Sequence, residues 1–280
     1  MLVDCHAHLL PPDRMAKLIR WTRRFSPSHP VPDTVTLDAL LAEYRAAGVD
    51  RVWNFAHAIF PEETEPLNAW NWRLGRAHPE IVPFGTCHPA AAAPLEAIDR
   101  CFDSYGFVGM KFHPFVQRFT PWEARFFPLW ERIARHGGLV VFHTGFEEFY
   151  GGTLPIDGFD AILRALPELR VVFAHANYPW VGAAFDLLAR YPNLYLDTVH
   201  VFARVTQGWD HRAEQATAWD ELRSGLARFP DRVMFGTDHP SGTGTLVEMY
   251  REVRAFGLPE ALERRLLGET ARRLASPAAK

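Results

Sequence analysis

The sequence predicts an α/β protein, a single (β/α)8 TIM barrel that occupies residues 1–280. The first observation is a series of eight short apolar segments, each ending at a turn signal. The second is that amphipathic helical patterns lie between these segments. Strands that alternate with helices form a parallel sheet with crossover helices. Eight such units in a chain of 280 residues fit a closed barrel.

The predicted strands are rich in β-branched and aromatic residues. They comprise residues 2–8, 50–57, 81–89, 107–114, 139–145, 170–177, 193–200 and 232–240. The run VVFHTG at 140–145 is typical of them, because three apolar residues lead into a histidine before Thr144 and Gly145 end the strand. A doubly wound open sheet is the alternative, but it usually has a glycine-rich turn after strand 1, and DCHAHLLPP is not one.

Helix signals separate the strands. Thr36 is a candidate N-cap for a helix that ends at Gly48, and Pro128 is suited to the first turn of a helix that ends at Gly137. Residues 246–256 carry apolar residues at helical spacing and are also predicted to form a helix. Residues 259–276 are predicted to form the closing helix.

Residues 10–35 are longer than a usual loop between a strand and its helix. This segment is basic in its middle and has prolines at both ends. In a barrel it would lie over the active face, so it is predicted to be either a lid or a surface helix with a solvated charged face.

The composition argues against several classes of protein. The net charge is −3, with no basic block that would favour nucleic-acid binding and no apolar run long enough to span a membrane. The start of the chain does not resemble a signal peptide, and three sparse cysteines suggest a reducing compartment. We therefore expect a cytoplasmic protein with a small-molecule substrate and no nucleic-acid or membrane partner; homo-oligomers are left open.

Histidines carry the strongest functional signal. Nine of the 13 lie at or just past the carboxyl end of a predicted strand: His6, His8, His57, His88, His113, His143, His175, His200 and His239. In a barrel these ends meet at one face. His6 and His8 are two apart on a strand, so their imidazoles point the same way and can supply two metal ligands.

These segments together resemble the amidohydrolase superfamily, in particular its amidohydrolase-related group of hydrolases and non-oxidative decarboxylases. DCHAHL is similar to the first metal motif, and GMKFHP, VVFHTG and VVFAHAN are similar to the fourth, fifth and sixth strand segments. YPNLYLDT and RVMFGTDHP resemble the seventh and eighth. The resemblance covers nearly the whole chain.

The resemblance implies a role for each of these residues. His6, His8, His143 and Asp238 would hold one divalent metal, with zinc expected. Asp238 would also take the proton of the attacking water, and His175 would polarise the substrate or protonate the leaving group.

Lys111 leaves two schemes open. It would either bridge two metals as a carboxylated lysine, with His143 and His175 on the second metal, or bind substrate as a free amine. We favour the second scheme because His113, at i+2, gives Lys111 a partner on the same face that is suited to holding a substrate carboxylate.

The expected activity is hydrolysis of an amide, lactone or ester. Non-oxidative decarboxylation or hydration at the same metal is the first alternative. A catalytically silent barrel that binds a ligand is the second.

Overall fold

The computed structural model describes residues 1–203 and 212–276. Nine strands form two ladders, in the orders β1-β2-β3 and β4-β5-β6-β7-β8-β9, with parallel pairing throughout. The strands are β1 Val3–Ala7, β2 Arg51–Asn54, β3 Ile81–Pro83, β4 Gly85–Thr86, β5 Gly109–Phe112, β6 Leu139–His143, β7 Arg170–Ala174, β8 Leu194–Asp197 and β9 Val233–Met234.

The two ladders are continuous with each other along the chain. The third predicted strand is interrupted at Phe84, which separates β3 from β4 and donates its N–H to the carbonyl of Asn54 at 3.1 Å. Beyond β9, the N–H of Asp238 donates to His6 O at 2.8 Å and the N–H of His8 donates to His239 O at 2.8 Å. The last strand segment therefore lies beside β1, and the predicted TIM-barrel fold is confirmed.

Apolar side chains form two layers, one on each face of the strands. Leu139 and Val141 pack in an inner cluster, whereas Val140 and Phe142 pack in an outer cluster against the helices. This alternation follows from the two-residue period of a strand. It is the arrangement of a barrel whose interior is filled with side chains.

The observed strands end earlier than predicted. The predicted strand 170–177 ends at Ala174, and the strand 193–200 ends at Asp197. His175, His200 and Asp238 then adopt positive φ values of 65°, 62° and 60°. Residues other than glycine rarely take this conformation, and they tend to do so at functional sites, where surrounding contacts hold them.

Helices connect the strands. They are α1 Pro12–Phe25, α2 Leu37–Ala46, α3 Thr64–Ala77, α4 Pro94–Asp99, α5 Pro114–Gln117, α6 Phe127–Arg135, α7 Asp160–Ala165, α8 Val181–Arg190, α9 Arg212–Arg228, α10 Leu246–Ala255, α11 Glu260–Arg264 and α12 Thr270–Ala275. Thr36 caps α2 as predicted, because its hydroxyl accepts from the N–H of Ala39. The predicted closing helix contains a π-helical turn at Arg265–Glu269 between α11 and α12.

Helix α1 forms most of the predicted insertion. Its Met15, Ile19 and Thr22 are buried against the barrel. Thr22 Oγ1 lies 2.7 Å from Ser241 Oγ, and His29 Nε2 lies 2.7 Å from Pro240 O. The insertion is therefore seated on the segment that follows β9. None of the helices that the structure describes has the length and apolar character needed to cross a bilayer.

Candidate metal centre

Seven of the nine histidines predicted at the strand ends form one continuous cluster. Their ring centroids are 3.8–5.6 Å apart along the series His6, His8, His57, His113, His143, His175 and His200. His88 and His239 lie elsewhere. His239 packs beside Tyr44 with its Nε2 3.2 Å from Glu43, and the N–H of Ala90 donates to the ring of His88.

Three candidate ligand atoms converge at the edge of this cluster. His6, His8 and Asp238 each offer one ligand atom, and these atoms lie within 4.8 Å of one another. His8 Nε2 is 2.9 Å from Asp238 Oδ1, and His6 Nε2 is 3.7 Å from the same oxygen. Oδ1 is buried, and these two ring nitrogens are its close polar neighbours, although neither forms a hydrogen bond of regular geometry with it within the described part of the chain. Two imidazoles and a carboxylate oxygen are a donor set that suits a divalent metal.

The outer nitrogens of both histidines are already engaged. His6 Nδ1 lies 2.8 Å from Asp197 Oδ2, and His8 Nδ1 lies 2.9 Å from the carbonyl of Phe55. A proton on Nδ1 in each ring leaves Nε2 with its lone pair directed at the candidate centre. Burial, and then the charge of Lys111, lowers the pKa of His6 well below its usual value, so the ring is neutral as ligation requires.

Asp238 is held as an anion by its neighbours. Burial acts to raise its pKa, but the interactions with the His8 ring and a hydrogen bond from His200 outweigh burial and hold the pKa well below its usual range. His200 Nε2 is 2.9 Å from Oδ2, the oxygen that lies away from His6. The carboxylate thus has one oxygen at the candidate centre and one fixed by His200.

His143 and His175 form a pair next to this group. His143 Nδ1 lies 3.1 Å from His175 Nε2. Among the described residues, their other nitrogens, His143 Nε2 and His175 Nδ1, are buried without hydrogen-bond partners. Burial lowers the pKa of both rings well below the usual value. The structure brings His6, His8 and Asp238 together, while His143 remains outside that group of three.

Lys111 and His113 line the cavity beside the centre. Lys111 Nζ lies 5.2 Å from the Phe55 ring centroid and has no hydrogen-bond partner among the described residues. Burial lowers its pKa to about 8. His113 Nε2 lies 3.2 Å from Tyr150 Oη, and its ring stacks on His143 at 3.8 Å.

A cavity of about 560 Å³ connects these residues to the surface. Its lining includes Asp238 and the buried His175 and Lys111, and residues of α1 line another wall. This volume is in the range of small-molecule sites. Apolar side chains from Leu10, Leu18, Ile59, Phe60 and Val116 contribute to its walls.

The sequence pattern predicts no role for Asp197 and only a peripheral position for His200. Besides contacting His6, Asp197 accepts the N–H of His175 at 2.7 Å and the N–H of Val199 at 3.2 Å. Its position at the carboxyl end of β8, within LYLDT, was the available signal. His200 contacts Asp238 only because the backbone turns out of the strand after Asp197.

The comparisons identify the family. The amidohydrolase family model matches residues 3–274, so the chain belongs to the amidohydrolase family. The search of curated proteins found no match at the significance required. The family assignment thus confirms the resemblance seen in the strand-end motifs.

Solved structures share the fold. An uncharacterised TIM-barrel protein from Bordetella bronchiseptica is 21% identical, with a TM-score of 0.74 over 98% of this chain and 97% of its own. The 5-carboxyvanillate decarboxylase of Sphingomonas paucimobilis is 15% identical, with a TM-score of 0.71 and 98% of both chains covered. A dihydroxybenzoic acid decarboxylase from Polaromonas sp. JS666, solved with bound manganese, is 15% identical, with a TM-score of 0.73 over 98% and 96%.

Proposed function

We propose that the protein is a metal-dependent hydrolase that activates water for attack on an amide, lactone or ester carbonyl of a small substrate. The observation that carries this proposal is the position of Asp238. One of its oxygens lies with the Nε2 atoms of His6 and His8, and the other is held by His200. An ionised carboxylate at this position is suited to accept a proton from water.

The proposed metal ligands are His6, His8 and Asp238, with His143 Nε2 as the fourth. Zinc is the proposed ion, because imidazole and carboxylate ligands are those that zinc takes in hydrolytic sites. Zinc bound there would lower the pKa of water and polarise a carbonyl oxygen. The buried Oδ1 of Asp238, which lies beside the Nε2 atoms of His6 and His8, supports this assignment.

His175 is the proposed donor to the substrate oxygen or leaving group. When His143 Nδ1 donates to His175 Nε2, the proton of His175 resides on its Nδ1, which is buried in the described structure without a partner. In the same tautomer His143 Nε2 carries a lone pair, as a metal ligand must. In this tautomer the single hydrogen bond between the rings is compatible with both proposed roles.

Asp238→Asn tests the base. Asparagine keeps the shape of the side chain but cannot accept the proton, so turnover should fall by roughly 10²-fold or more. The assay would follow acid release from a panel of aryl esters and lactones by the zinc-loaded protein. Exposed Asp186→Asn is the matched control and should keep wild-type turnover. Near-normal rates for Asp238→Asn would exclude Asp238 as the base.

We propose one metal per chain, with Lys111 as a free amine that contacts substrate together with His113. The position of His113 in the same cavity supports this, because it gives Lys111 a partner for holding a substrate carboxylate. Zinc stoichiometry should be close to one in the wild type and in Lys111→Ala, each prepared with bicarbonate and excess zinc. Two equivalents in the wild type that are both lost in Lys111→Ala would show the two-metal scheme.

Non-oxidative decarboxylation is the second candidate. The Lys111 amine, which has no hydrogen-bond partner among the described residues, is suited to a substrate carboxylate, and two of the three similar structures named above are decarboxylases. That reaction needs a proton donor for the substrate carbon, whereas the hydrolytic proposal uses Asp238 as a proton acceptor. Carbon dioxide release from hydroxybenzoates, without acid release from esters, would favour this candidate.

A further inference from the structure

Helix α1 presents one face to the cavity. Arg14, Lys17, Trp21 and Arg24 line it and are spaced three or four residues apart, so they lie along the same side of the helix. The buried residues Met15, Ile19 and Thr22 lie on a different side, against the barrel. The helix therefore contributes a basic wall to a cavity whose inner end is the candidate metal centre.

The charge of this wall is not balanced by the residues around it. Five cationic residues line the cavity, against the two carboxylates of Glu63 and Asp238, although the whole chain carries a net charge of −3. Arg14 is paired with Glu63 at 3.0 Å, and Arg20 lies 3.5 Å from Asp33. Among the residues that the structure describes, Lys17 and Arg24 have no carboxylate partner.

The residue between these two cations, Trp21, is anchored to the barrel. The Trp21 ring is stacked on Tyr150, with centroids 5.9 Å apart and planes inclined by 18°. Tyr150 Oη in turn lies 3.2 Å from His113 Nε2. Lys17 and Arg24 are seven residues apart on either side of Trp21, which places them about 10 Å apart along the helix axis.

We propose that Lys17 and Arg24 bind a second anionic group of the substrate, a carboxylate, at the end remote from the metal centre. The enzyme then selects dianions with an apolar body. The apolar walls of the cavity contact that body, and the cationic pair binds the distal carboxylate with charge-assisted hydrogen bonds. This inference rests on the proposed function only for the identity of the group at the metal end.

The test compares two probes, benzoate and isophthalate, which differ by one carboxylate. Their dissociation constants would be measured with zinc-loaded protein by calorimetry. Wild type should bind isophthalate roughly 10-fold more tightly than benzoate, and Lys17→Gln/Arg24→Gln should bind both probes alike. Lys17→Arg should keep the preference, because it keeps the charge.

The matched control is Arg251→Gln/Arg254→Gln, which removes two exposed charges from α10, outside the cavity. This control should keep the wild-type preference for isophthalate. If the preference came from the overall charge of the protein, the control would lose as much of it as Lys17→Gln/Arg24→Gln does. Equal binding of the probes by wild type, absence of binding, or a preference that survives in Lys17→Gln/Arg24→Gln would each overturn the proposal. Failure of the metal-centre proposal has a different signature: removing zinc would leave benzoate binding unchanged, while the isophthalate preference would still depend on Lys17 and Arg24.

Discussion

At the scale of single residues, the site depends on which nitrogen of each histidine is free. The HxH pattern predicts that His6 and His8 face one centre, and the structure places their Nε2 atoms beside Asp238 Oδ1. The pattern cannot specify what holds each Nδ1, because Asp197 and the Phe55 carbonyl come from distant strands. The pairing of the two side chains at one centre was thus predictable, but the groups that orient them were not.

Asp197→Asn tests this orientation. The asparagine amide retains the size of the side chain but removes the charge that favours a proton on His6 Nδ1. We expect zinc affinity to fall roughly 10- to 100-fold, the usual cost of losing such an outer partner. Zinc competition with a chromogenic chelator would measure it, with Asp186→Asn as the exposed control. Unchanged affinity would show that His6 is oriented without Asp197.

Lys111 is a second residue whose environment has a measurable consequence. Burial lowers its pKa from 10.5 to about 8. The native state therefore bears the full cost of a buried charge below about pH 8, and this cost fades as the pH rises towards 10.5. Lys111→Met should raise the free energy of unfolding of the zinc-free protein by about 3 kcal/mol at pH 7 and by much less at pH 10.

Urea denaturation at the two pH values would measure this difference. Lys17→Met, at an exposed position, is the control and should show no comparable pH dependence. A stability gain that is the same at pH 7 and pH 10 would mean that the Lys111 charge is not its source.

At the scale of secondary-structure elements, apolar runs and helix caps predicted where strands and helices occur, but not where strands end. Residues 175–177 and His200 continue the predicted strands in sequence, yet His175 and His200 take left-handed backbone conformations. Polar contacts override local preference there, since Asp197 accepts the N–H of His175. The interruption at Phe84 was also missed, although Pro83 and Gly85 on either side of it are residue types that commonly end a strand.

The insertion after β1 is a second case in which distant contacts, and not the local sequence pattern, determine the structure. Its basic middle was consistent with either a lid or a solvated surface helix, and the structure places α1 along the cavity. The decisive contacts are Trp21 with Tyr150 and Thr22 with Ser241. Both join residues that are more than one hundred positions apart, so neither could be read from the local pattern.

At the scale of the whole molecule, the candidate centre joins the two ends of the chain. His6 and His8 lie at the end of the first strand, Asp238 follows the last, and backbone hydrogen bonds connect the two segments. Unfolding separates these ligands, because they are more than 220 residues apart in sequence. Metal binding should therefore be coupled to the stability of the entire barrel.

The last prediction follows from this coupling. A ligand that binds only the native state stabilises it by about 2.7 kcal/mol at a free concentration one hundred times its dissociation constant. For a chain of this size, such a gain should raise the Tm by roughly 5–10 °C. Scanning calorimetry of chelator-treated protein, with zinc added back in steps, should show a Tm that rises with the free zinc concentration. His6→Ala/His8→Ala should abolish this dependence, while the exposed Asp186→Asn variant should retain it in full. If zinc raised the Tm equally in the double histidine variant, the stabilising metal would bind at another site. The coupling between the first and last strands would then not be its cause.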